Sequence, residues 1–192
     1  MKISQGVDLA ELSGYAAEIE FISEGGELKE CVLWFGPLRS APEPASFRRA
    51  TLLPGPHTLL ADPAAVSLVG APQAYLYEPD PAILRAGLVT TLAALIHARQ
   101  IDASIGYLTS ETLTPTPFAR AFAIEAALPF QLKRLRAALR ARGVGQVTVK
   151  KRGSPLEPEA LIRQLKPSGP ESRIVFLTQV SGKPYALIGR AC

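Results

Sequence analysis

Asparagine is absent from the 192 residues, methionine and tryptophan occur once each, and histidine and cysteine twice each. His57, His97, Cys31 and Cys192 share no ligand spacing, so neither a zinc site nor a disulfide framework is expected, and the metal set is empty. Long apolar runs are also lacking: the uncharged stretch Ala86 to Ile96 falls far short of the roughly 20 residues that a membrane span needs. The opening MKISQGVDLAEL has no apolar core of a secretory signal, so no membrane and a cytoplasmic location are expected. No glycine-rich turn leads from a strand into a helix. Gly25-Gly26 lies between two strand-like runs, and Gly143 and Gly145 follow a helix, so neither pair makes a phosphate cradle. No catalytic residue is assigned.

One further absence is local. From Ala126 to Leu156 there is no Asp or Glu, yet this segment holds eight of the 21 Lys and Arg residues: Lys133, Arg134, Arg136, Arg140, Arg142, Lys150, Lys151 and Arg152. The net charge of +4 therefore conceals a cationic segment on a net acidic remainder.

What is present reads as mixed α/β. AEIEFISE (17–24) and ELKECVLWF (27–35) flank Gly25-Gly26, a hairpin signal because glycine accepts the positive φ of a type I′ turn. Residues 36–47, with three prolines, read as a loop, and 48–53 with 57–60 as two short strands around Pro54-Gly55-Pro56. A boundary is expected near residue 72, giving a β-rich segment over 1–72 and a two-layer α/β domain over 73–192. In the second part, Asp80-Pro81 starts a helix expected to reach His97, burying Leu84, Leu88, Leu92 and Leu95. Strands follow at 105–109 and 119–125, a helix over 130–142, a strand over 146–151, a helix over 158–166 and a closing hairpin over 173–189.

In the helix over 130–142, Leu132, Leu135 and Leu139 share one face, while Lys133, Arg136 and Arg140 line another beside Arg134. With Lys150, Lys151 and Arg152 these residues form a candidate RNA-binding corner. Phosphates can approach such a surface with release of counterions, and backbone contact suits it better than base stacking, since Phe130 is the sole aromatic residue of the segment. The alternatives are a solvated helix face and a surface that docks an acidic protein partner. A second-rank polar cluster, Tyr77, Glu78, Asp80, Arg85 and Arg120, would serve an intact small enzyme if the fold enclosed it in a pocket.

The stretches KISQGVDL, ELKECVLWFGPL, YLYEPDPAILRAGLV, TPFARAF, LKRLRAALRARGVGQVTVKKRG and RIVFLTQVSGKPYALI resemble, in order, bacterial class I S-adenosylmethionine-dependent methyltransferases with a C-terminal THUMP-like domain. The resemblance implies that residues 1–72 correspond to the last strands of a Rossmann-like methyltransferase sheet, with Lys2 and Ser4 near the cleft. It also implies that an N-terminal methyltransferase region, carrying the cofactor loop, precedes what is seen here. By this resemblance S-adenosylmethionine serves the full-length protein and is not bound by this chain alone, the chain alone is inactive, and the partner is RNA, either tRNA or rRNA. An apolar sheet face left by the missing region would favour self-association.

Overall fold

The computed structural model describes residues 1–40, 47–55 and 57–192. The parts of the expected loop that fall on 41–46, and Pro56 of the Pro-Gly-Pro turn, lie outside the described residues. The chain divides into two compact units, each built from three separate segments: Met1–Ser67, Glu78–Ala98 and Thr114–Arg120 in the first, Leu68–Tyr77, Arg99–Leu113 and Ala121–Cys192 in the second.

The first unit is a five-stranded sheet of β1 (Lys2–Ile3), β2 (Ala17–Glu24), β3 (Glu27–Phe35), β4 (Arg48–Leu53) and β5 (His57–Leu60), in the order β1-β3-β2-β4-β5. Gly25 and Gly26 take φ values of +60° and +83°, which close the β2–β3 hairpin where the Gly-Gly pair predicts it. β2 pairs antiparallel with β3 and parallel with β4, so it is central, and its residues from Ala17 to Phe21 are all buried.

The helix expected over 80–97 is instead two. Asp80 caps α1 (Pro81–Arg85) by accepting from the Ala82 N–H at 2.8 Å. Gly87, at φ +66°, then ends it: the Gly87 N–H donates to the Leu84 carbonyl at 3.1 Å and the Leu88 N–H to the Ile83 carbonyl at 3.0 Å, the paired bonds of a Schellman turn. α2 (Val89–Leu95) ends the same way, with His97 at φ +53° and the Ala98 N–H donating to the Ala93 carbonyl at 2.8 Å. His97 therefore occupies a left-handed turn position instead of the last helical turn. The break also redirects the leucines: Leu88 and Leu92 are fully buried, whereas Leu95 is 52% exposed.

The second unit is a seven-stranded sheet in the order β10-β11-β12-β9-β6-β8-β7. Its strands are β6 (Tyr75–Pro79), β7 (Arg99–Asp102), β8 (Ile105–Ser110), β9 (Ala119–Pro129), β10 (Val144–Lys151), β11 (Glu171–Val180) and β12 (Lys183–Ala191). Between β9 and β10 lies α3 (Leu132–Arg140), and between the parallel pair β10 and β11 lies α4 (Pro158–Leu165). Both helices cover one face, where Leu135, Leu139, Leu161 and Leu165 pack on Val175, Leu177, Ala186 and Ile188. The opposite face holds Tyr107, Phe122, Phe176 and Leu187, and the sheet curls there until the Ser181 N–H reaches the Ile101 carbonyl at 3.1 Å.

Candidate nucleic-acid interface

α3 forms because its leucines recur at helical spacing, and Gly143, at φ +62°, follows its end. With Leu135 and Leu139 buried, Lys133, Arg134 and Arg140 are left exposed, and among the described residues none of the three has an ion pair or side-chain hydrogen bond. Ala137 and Ala141 are also exposed on this surface, so its relief between the cations is low.

The rest of the cationic segment is divided by the strand alternation of β10. Val147 and Val149 point to the helical layer, and Lys151 points with them. Lys150 points to the other face, with Nζ 5.5 Å from the Phe122 ring centre, and Arg152 follows it with its guanidinium 5.3 Å from the centre of Tyr107. These rings, edge-on to Phe176 at 4.9 and 5.8 Å, are buried. Lys133, Arg134, Arg136 and Arg140 thus lie on the helical layer, while Lys150 and Arg152 lie on the opposite side of the sheet.

Three of the cations are engaged within the fold by groups at or beyond the limits of the carboxylate-free segment. Glu157, just before α4, pairs with the Lys151 Nζ at 2.5 Å. Glu125 sits where the β9–β12 register skips, Ile124 pairing with Gly189 and Ala126 with Ile188, and its carboxylate meets the Arg142 Nε at 3.5 Å and the Arg173 Nε at 2.9 Å. The Arg173 guanidinium is held above its ordinary range first by that hydrogen bond to Glu125 and then by Glu171. Arg136 donates to the Gln164 carbonyl in the last turn of α4, where a cation complements the helix dipole.

Of the second-rank polar residues, Tyr77 belongs to the second unit and Glu78, Asp80, Arg85 and Arg120 to the first. The Tyr77 hydroxyl is buried, 3.1 Å from the Ser110 Oγ, and donates to the Thr112 carbonyl at 3.2 Å. Asp80 is the cap of α1. Arg85 donates to the Val7 carbonyl at 2.5 Å and stacks over Phe21 at 5.7 Å. Arg120 packs its guanidinium against Gly26, and Glu78 is half-buried. Lys2 pairs with Glu30 at 2.5 Å, and the Ser4 Oγ accepts from the Gly6 N–H at 3.2 Å.

Sequence reasoning missed a buried ionic network in the first unit. The Arg49 Nη1 lies 2.7 Å from Glu18 and Nη2 3.0 Å from Glu20. Glu20 also accepts from the Trp34 Nε1 at 2.8 Å and the Thr51 Oγ1 at 2.6 Å, and Glu18 from the Ser40 N–H at 2.6 Å. Burial pushes the Glu20 carboxyl up, but the bonds from Arg49, Thr51 and Trp34 outweigh it and hold the group below the usual carboxylate range. The alternation of glutamates with apolar residues in AEIEFISE marks a strand but not what its polar side meets; Arg49 lies directly opposite Glu20 in the β2–β4 register.

Among the described residues no group of three His, Cys, Asp or Glu could hold a metal, and no helix is long and apolar enough to cross a membrane. Of the positive-φ glycines among the described residues, Gly25, Gly26 and Gly182 lie in hairpin turns and Gly87 and Gly143 follow helices, while Gly36 and Gly153 follow strands.

Residues 119–191, from β9 to β12, match the model of the THUMP domain-like family. Over 182 residues, 94% of the chain, the sequence is 31% identical to uncharacterized S-adenosylmethionine-dependent methyltransferases from two strains of Mycobacterium tuberculosis, CDC 1551 and H37Rv. The chain spans about half the length of these relatives, 49%. The crystal structure of a candidate methyltransferase from Porphyromonas gingivalis W83 shares the fold over the whole chain and over 50% of its own length, with a TM-score of 0.81 at 24% identity. The chain is therefore similar, over almost its whole length, to part of S-adenosylmethionine-dependent methyltransferases, and it carries a THUMP-like domain, as the resemblance implies.

Proposed function

We propose that this chain is the RNA-binding, substrate-presenting portion of an S-adenosylmethionine-dependent methyltransferase that acts on tRNA or rRNA in the cytoplasm. By itself the chain neither binds the cofactor nor transfers a methyl group. The observation that carries this reading is the outer face of α3, where Lys133, Arg134 and Arg140 stand exposed without a carboxylate partner among the described residues, inside the THUMP-like domain. Arg136, Lys150, Lys151 and Arg152 complete the proposed set. Their engagement with a carbonyl, two rings and Glu157 gives each a structural role besides.

The test is a fluorescence-anisotropy titration against labelled tRNA and an unrelated hairpin of equal length at about 50 and 200 mM salt, over which a surface making several phosphate contacts loses affinity by orders of magnitude. Tighter binding to tRNA that persists at the higher salt is expected. Equal and weak binding to both, or none, would replace this reading with that of a module docking the methyltransferase region or an acidic partner.

A further inference from the structure

The face of the seven-stranded sheet that α3 and α4 leave uncovered has an uneven distribution of charge. Strand register puts Gln146, Thr148 and Lys150 of β10 on it, opposite Ser172, Ile174 and Phe176 of β11. From β12 it receives Lys183, Tyr185 and Leu187, opposite Val180, Thr178 and Phe176. None of these residues is acidic, whereas Glu125, Glu157 and Glu171 are bound to cations on the helical side. Gln146, Thr148, Ser172 and Lys183 are exposed, and Ile174 is half-exposed. β10 is the edge strand, and the Arg152 N–H extends its ladder by donating to the Leu177 carbonyl at 2.9 Å. Gln146, Thr148 and Lys150 therefore form one row along β10, with about 6.6 Å between neighbours at the usual strand rise, and Arg152 follows them in the bend after the strand. That step is commensurate with successive phosphates of an extended polynucleotide.

We propose that this row, together with Lys183, receives an extended single strand of RNA, separately from the contact made by α3. The inference rests on the RNA-binding reading and specifies the form of RNA that it takes. A duplex presents a broad cylinder, which the low-relief ridge of Lys133, Arg134 and Arg140 suits. It cannot at the same time reach Lys150 and Arg152 through the thickness of the sheet and its helices. A single strand needs only a narrow track. The two cations meet its phosphates, Gln146 and Thr148 supply hydrogen bonds, and Ile174 offers an apolar floor to a base. The buried rings of Tyr107 and Phe122 do not stack with bases; they hold the two cations in line.

The test uses the full chain with a short labelled oligouridylate as single strand and a labelled hairpin as duplex. Thr148→Glu and Lys183→Glu are made singly and together, since both positions are exposed and their loss opens no core; Lys133→Glu with Arg140→Glu is the helix-face counterpart, and thermal unfolding checks each variant. The expected result is that the sheet-face pair weakens oligouridylate binding by about tenfold or more while the helix-face pair leaves it unchanged, the hairpin showing the converse. If the helix-face pair weakens both RNAs and the sheet-face variants neither, or if both pairs weaken both RNAs equally, the separate track is overturned while the RNA-binding reading stands. If the wild-type chain binds neither RNA at low salt, both fall.

Discussion

Asp102, the last residue of β7 before the turn to β8, accepts a hydrogen bond from the backbone N–H of Gly182, 80 residues later in the turn from β11 to β12, at 2.6 Å. Its other oxygen accepts from the Ser104 N–H at 2.9 Å and the Ser104 Oγ at 2.7 Å. One carboxylate thus ties together two turns of the curled sheet. The bond from Gly182, followed by those from Ser104, holds the Asp102 carboxyl below its ordinary range. Asp102→Asn sets an amide group against an N–H that needs an acceptor, and a loss of about 1–3 kcal/mol is expected near neutral pH. Because the folded-state value is depressed, the stabilisation is complete above the ordinary Asp value of about 4 and is lost as pH falls through the depressed one. Urea unfolding of wild type and variant should show the gap closing in acid; a constant gap would refute the ionic origin.

Removing Arg49 should be among the costliest single changes in the first unit. Arg49→Met leaves Glu18 and Glu20 buried without their shared cation, for which about 3–5 kcal/mol is expected. The depressed Glu20 value implies, with the same sign, that its contribution is present above the ordinary Glu range and lost as pH falls below it. Chemical denaturation at neutral pH measures the first effect and an acid titration of wild-type stability the second.

The two thiols should react at very different rates. Cys31 is fully buried on β3, and burial pushes its thiol up to about 11, while Cys192 is exposed. A thiol-reactive chromogen should modify one cysteine per folded chain rapidly and the second only on unfolding. Two fast equivalents in the native protein would place Cys31 incorrectly.

His97→Gly should stabilise the chain by about 1 kcal/mol, since glycine adopts the left-handed conformation at the end of α2 without the steric cost that a side chain carries. A shift of the urea midpoint to lower concentration would show that the imidazole makes a compensating contact.

The cations should divide by role in salt-dependence measurements. Arg134→Gln is expected to reduce the slope of log affinity for RNA against log salt by about 1, with little change in stability. Arg142→Gln gives the reverse: a slope near wild type and a lower unfolding midpoint, because Arg142 is bound to Glu125 and to the Ala138 carbonyl.

The local architecture was largely written in local signals. The Gly25-Gly26 hairpin, the strands β4 and β5, the amphipathic α3 and the proline-started α4 all lie close to where turn chemistry and periodicity put them. The break at Gly87 was obscured because four leucines keep helical spacing across it, and only the left-handed glycine reveals the turn. Nor could the segment from 132 to 153 disclose that its cations part company, since the direction in which Lys150 points depends on which face of β10 meets α3 and α4. The burial of Glu18 and Glu20 was hidden for a related reason: alternation marks two faces, but whether the polar one meets water is decided by Arg49, Trp34 and Ser40, from other parts of the chain.

The segmental make-up of the two units bears on the order of synthesis. Every strand of the five-stranded sheet has been made once Leu60 has emerged, yet α1, α2 and residues 114–120 belong to the same unit and come later. α1 can reach the face of β2, β3 and β4 only after Arg85 has been made, and the first unit is complete only with Arg120, by which point three strands of the second unit, β6, β7 and β8, have also been synthesised. A nascent chain of this kind cannot complete its domains one after the other, and its exposed intermediate is the species on which a chaperone would be expected to act.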